Sequence, residues 1–131
     1  MTLTPPSQDQ ADQANWARYP YRVDVQPYLR DHHFAGRAIY PAVKILQDLA
    51  ATVRKHYPDT VVTVMQEAAF GRFLEIGATD QEIMVFHDLQ PVVNGRVAAR
   101  LVTVSTSGKT GIRREKVHAA VEFGPPLQNA E

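Results

Sequence analysis

Two adjacent histidines, His32 and His33, stand just ahead of a glycine, Gly36, and a proline, Pro41, in the stretch DHHFAGRAIYPAVKILQDLA. A neutral imidazole with an ordinary pKa of about 6.5 can accept a proton at neutral pH. The free N–H groups at the start of a helix can stabilise an oxyanion. A histidine, a glycine turn and a helix start, in that order, therefore bring a base and hydrogen-bond donors together, as proton abstraction next to a carbonyl requires. In an extended segment the two imidazoles leave opposite faces, so only one of them enters a given pocket. The competing reading makes both ordinary loop histidines, one exposed and one hydrogen-bonded. Asp31 is read as a backbone acceptor at the turn, and Gly36 as the residue that supplies an unusual backbone conformation or a close approach.

The next element must hold this segment in place. Ala42, Ile45, Leu46, Leu49, Ala50 and Val53 recur at helical spacing, which predicts a helix over residues 41–57 with that stripe buried. Pro41 suits the first helical position, and Tyr57-Pro58-Asp59 suits the stop. Beyond it, TVVTVMQEAAFGRFLEI, EIMVFHDLQPVV, RVAARLVTVSTS and EKVHAAVEF read as β-branched, partly alternating strands. Turn material separates them at residues 77–80, at Asn94-Gly95 and at Ser107-Gly108-Lys109, and Asn94-Gly95 is a strong hairpin signal. The expected fold class is α+β, with one long helix packed on one curved, mostly antiparallel sheet. Residues 17–124 are expected to form a single domain, with flexible tails at 1–16 and 125–131.

The composition excludes several classes. Lys+Arg and Asp+Glu both number 14, so charge gives no reason to expect nucleic acid or an anionic membrane as partner. The chain has no cysteine, which removes disulfides and thiolate metal sites. His56, His87 and His118 are too scattered for metal-ligand spacing, so no metal is expected. The first residues do not read as a signal peptide, and no apolar run approaches the roughly 20 residues of a membrane span. The expected location is cytoplasmic. The segment GKTGIRREK lacks the full phosphate-loop pattern and is read as a hairpin loop.

The segment DHHFAGRAIYPA resembles the dehydratase domains of polyketide synthases, in which a catalytic histidine sits in an Asp-His-x-x-x-Gly-x-x-x-x-Pro signature at the head of the central helix of a hot-dog fold. Asp31, His32, Gly36 and Pro41 carry the match, and Tyr28-Leu29 precede it as the family's aromatic-Leu pair would. The resemblance implies His32, rather than His33, as general base in the dehydration of a 3-hydroxyacyl thioester. It implies Gly36 and Pro41 as part of the substrate-binding turn. Polyketide dehydratases carry two hot-dog repeats, whereas this chain has room for one and is similar in size to the dimeric hydroxyacyl carrier-protein dehydratases of fatty acid synthesis.

The family's acidic positions are occupied otherwise. A Glu six residues after the proline corresponds to Gln47, and an Asp four residues after it corresponds to Ile45. Gln47 can donate a hydrogen bond to a substrate oxygen but has no useful acidity. Asp48 is the nearest carboxylate downstream and the candidate replacement acid; the competing reading is a solvated Asp beside Lys44.

Three functions follow as expectations. The first is a dehydratase acting on an acyl group carried on acyl carrier protein or coenzyme A, with no cofactor of its own beyond the phosphopantetheine or coenzyme A that carries the substrate. The second is a hot-dog thioesterase, and the third a non-catalytic acyl-binding or assembly subunit. A homodimer is expected because a single hot-dog leaves a sheet edge and an acyl pocket incomplete.

Overall fold

The computed structural model describes residues 15–31 and 33–125. The candidate base His32 and most of both expected tails lie outside the described residues.

Among the described residues, seven strands and one α-helix follow one another: β1 (Ala17–Asp24), a 3-10 turn at Pro27–Asp31, β2 (His33–Phe34), β3 (Arg37–Ala38), α1 (Ala42–His56), β4 (Met65–Ala69), β5 (Glu82–Pro91), β6 (Val97–Thr106) and β7 (Arg113–Phe123). The long strands make a five-stranded sheet in the order β1-β5-β6-β7-β4, and β2 and β3 form a separate two-stranded hairpin. Every named strand pairing is antiparallel. The fold is α+β, as the sequence predicts.

Alternation makes one sheet face apolar. Val85 and Leu89 of β5, Val97, Ala99 and Leu101 of β6, and Ala119, Val121 and Phe123 of β7 join Ile45, Leu49 and Val53 of α1 in one buried cluster. The opposite face carries Asp88, fully buried between Arg18, which grips both its oxygens at 2.8 and 2.9 Å, and Arg100 at 3.0 Å. Trp16 covers Arg100. A carboxylate so enclosed requires both cations, because an unpaired buried charge is costly.

Two sequence expectations need correction. The buried stripe of α1 is Ile45, Asp48, Leu49, Thr52 and Val53, whereas Ala42 is exposed and Leu46 and Ala50 are half-buried. The helix is rotated about its axis toward a polar contact that hydrophobic periodicity does not register. The long strand read from TVVTVMQEAAFGRFLEI is reduced to Met65–Ala69. The chain beyond it pairs with the segment leading into α1 instead: Tyr40 N–H donates to Leu74 O, Ile76 N–H donates to Ala38 O, and Ile39 bridges Glu75.

Turn chemistry accounts for the connections. Asn94 and Gly95 both have positive φ, 62° and 73°, the left-handed pair of a tight hairpin between β5 and β6. Ala35 and Gly36, at 51° and 79°, do the same between β2 and β3.

Candidate functional site

The hairpin and the helix start stand next to each other in the chain. Gly36 contributes conformation and not close approach, since no atom lies within 4 Å of the position a Cβ would take. Pro41 is the N-cap of α1, one position outside the helix, with an extended backbone and no side-chain cap. The helix therefore begins with N–H groups that no capping side chain satisfies. Asp31 and His33 are exposed.

Asp48 is buried, at 8% exposure, and so is not the solvated partner of Lys44. Its carboxylate accepts a hydrogen bond from the Tyr40 hydroxyl at 2.5 Å, and the Tyr21 hydroxyl faces the same group. Burial first, and then the Asp48 carboxylate, push the Tyr21 phenol up to about 12, and burial and the Asp48 hydrogen bond raise Tyr40 as well. One turn on, the Thr52 hydroxyl donates to the Asp48 main-chain carbonyl at 3.2 Å and lies 2.7 Å from His87 Nδ1. The His87 ring stacks on Tyr21 with centroids 4.3 Å apart, and burial pushes the imidazole down to about 4 against the opposing pull of Asp88. Tyr21, Tyr40, Asp48, Thr52 and His87 thus form a connected polar cluster between helix and sheet.

Of the residues singled out from the sequence, the structure joins Asp48 to this cluster and leaves Gln47 exposed on another face of α1. Ile45, at the other family acid position, is buried in the apolar core. The cluster's remaining members were missed. Their signal was a polar residue at an inward strand position, as His87 lies between Val85 and Leu89.

A second group lies where β6 and β7 meet the segment after β4. A cavity of about 390 Å³ is lined by Arg72, Phe73, Glu75, Thr103, Lys116 and His118. Phe73 packs on Phe34 of the β2–β3 hairpin, 4.9 Å between centroids, so this cavity borders the hairpin. Among the described residues no group of three or more His, Asp or Glu is placed to hold a metal ion. No helix among them is long and apolar enough to cross a membrane.

Comparison with known proteins places the fold. The chain is similar to the dehydratase domain of the CurF module of the curacin polyketide synthase, with a TM-score of 0.62 at 15% identity over 98% of this chain and 44% of that one. It is also similar to a trans-AT polyketide synthase dehydratase domain from Brevibacillus brevis, with a TM-score of 0.60 at 16% identity over 83% of this chain and 38% of that one. The protein has the hot-dog fold of polyketide synthase dehydratases, and it spans less than half the length of these two chains. No family model and no curated protein matches it.

Proposed function

We propose that this protein is a dehydratase-like hot-dog subunit that acts on a 3-hydroxyacyl thioester carried by acyl carrier protein or coenzyme A. The observation that carries the reading is the uncapped start of α1, directly after the hairpin that His32 precedes, in a fold shared with polyketide dehydratase domains. In this reading His32 takes the α-proton and the free N–H groups beyond Pro41 stabilise the enolate-like oxygen. Gly36 sets the hairpin against which the acyl chain lies, and the Gln47 amide donates to a substrate oxygen. The departing hydroxyl leaves as water with a proton from Asp48, the candidate acid, which the Tyr40 hydroxyl holds in place, and the α-proton taken up by His32 makes good that loss. The complete pocket forms between two copies of the chain.

A second reading, a non-catalytic acyl-binding or assembly subunit, has its own support. Asp48 is turned into the molecule, and neither Ile45 nor Gln47 is acidic. One assay separates the two. The protein is incubated with 3-hydroxyacyl carrier protein and the product is followed by mass spectrometry. Loss of water, reduced by about 10²–10⁴ in H32A, supports the dehydratase. Binding without loss of water, weakened in H32A, supports the acyl-binding subunit.

A further inference from the structure

His118 sits at the register shift between β6 and β7, where Leu101 pairs with Ala119 but Val102 pairs with Val117. The extra residue at such a bulge is re-aimed relative to its neighbours. Its ring is buried, and its Nδ1 lies 3.1 Å from the Phe73 carbonyl and 3.3 Å from that of Arg72. Carbonyl oxygens only accept, so Nδ1 carries the proton, and in the neutral ring Nε2 is an acceptor. The Thr103 hydroxyl, 2.7 Å from Nε2, is therefore the donor. The result is a hydroxyl, an imidazole that can take its proton and a fixed acceptor that holds the imidazole in the right tautomer. Nucleophile–base pairs on unrelated folds share this arrangement.

We propose that Thr103 and His118 are a nucleophile–base pair that cleaves small acyl thioesters in the cavity they line. The hydroxyl is half-buried at the wall of a cavity of about 390 Å³, the size of a small acyl substrate. With its proton committed to His118, the oxygen keeps its lone pairs for attack. Positive charge stands on the same wall: Lys116 is the cross-strand partner of Thr103, and Arg72 lines the cavity beside it. The acidic lining residue, Glu75, is paired with Arg37 at 2.7 Å. Burial lowers the His118 pKa, which keeps the base neutral at physiological pH.

The chemistry closes on water. Thr103 Oγ bonds to the thioester carbonyl carbon as its proton passes to His118 Nε2. The collapsing oxyanion, stabilised by Lys116 and Arg72, expels the thiolate, which takes the proton from His118. Water, deprotonated by His118, then attacks the acyl-threonine; the carboxylic acid leaves and Thr103 recovers its proton. This reaction uses neither His32 nor Asp48, and it yields thiol without loss of water from the acyl chain, so its failure is separate from that of the dehydratase reading.

The test uses the full chain with S-acetyl-N-acetylcysteamine and follows thiol release, with an acid quench and peptide mapping for an acetyl adduct. Wild type and T103S should release thiol, and T103V, close in shape but without the hydroxyl, should be slower by 100-fold or more. H118Q should lose activity to a similar degree. Since a change at a buried ring can disturb folding, T103V carries the decision, with its thermal midpoint measured alongside. Absence of thiol release by wild type, release by folded T103V at the wild-type rate, or an adduct mapped to Lys116 instead of Thr103 would each overturn the proposal.

Discussion

Asp48 is held by tyrosine hydroxyls and buried against the sheet, so its removal acts on its partners more than on solvent. Asp48→Ala leaves the Tyr40 hydroxyl without its acceptor and should cost about 1–3 kcal/mol, read as a shift in urea midpoint, while Asp48→Asn keeps an acceptor oxygen and should cost less. His87 gives the cluster a pH signature. Its folded pKa, about 4, lies below the unfolded value of about 6.5, so the unfolded chain takes up the proton first. The stability it contributes is whole above about pH 6.5 and is lost as the pH falls toward 4. The slope is on the order of 1 kcal/mol per pH unit for one proton. Urea titrations at several pH values in this window should become flatter in His87→Gln; they do not become flat, because His118 is shifted in the same direction. At the alkaline end the sign reverses: Tyr21, raised from about 10 to about 12, stabilises the fold below pH 10, and that contribution is lost as the pH climbs toward 12.

At the scale of elements, the β2–β3 hairpin and α1 decide whether the candidate site is formed. Ala35 occupies a left-handed conformation that costs a non-glycine residue roughly 1–2 kcal/mol, and Asn tolerates it better. Ala35→Asn should therefore raise stability by a fraction of that amount, and Gly36→Ala, at φ 79° in open space, should lower it by about 1 kcal/mol, both measurable by thermal melting. In α1, Leu49 is fully buried and Leu46 is not, so Leu49→Ala should cost about 2–5 kcal/mol and Leu46→Ala clearly less. That difference marks the limit of what periodicity conveys. The helix, its bounds and the Asn94-Gly95 hairpin are legible because local patterns determine them: an apolar stripe, a proline at the start, a pair that accepts positive φ. The helix rotation is not legible, because it depends on Asp48 and Thr52 meeting Tyr21, Tyr40 and His87, which other elements bring together. Nor is the fate of residues 74–76, whose alternation fits a strand of the main sheet while their backbone partners lie at residues 38–40. Thr103 and His118 meet only because β7 carries a bulge, and a bulge of one residue leaves no mark on composition.

At the scale of the whole molecule, the sheet ends at β4, which pairs with β7 and, among the described residues, has no strand on its other side. The strand and the chain just beyond it expose apolar side chains, Met65 on β4 and Phe70 and Phe73 after it, and Phe34 on the hairpin is exposed as well. Scattered exposed hydrophobics need no explanation, but Phe34 and Phe73 are in contact, and an open edge beside apolar surface is a template for pairing with another chain. A second copy related by a two-fold axis would place β4 against its own counterpart and cover both sets of aromatic rings. Sedimentation at micromolar concentration should accordingly give a dimer. Phe73→Glu adds a charge at a side chain 56% exposed in the single chain, so it should leave the fold and its melting cooperativity intact while shifting sedimentation to the monomer. Under the dehydratase proposal the same variant should also lose turnover of 3-hydroxyacyl substrates, since each pocket needs both copies. A wild-type monomer would mean that a different chain covers this edge, and Phe73→Glu that stays dimeric would place the interface on another face.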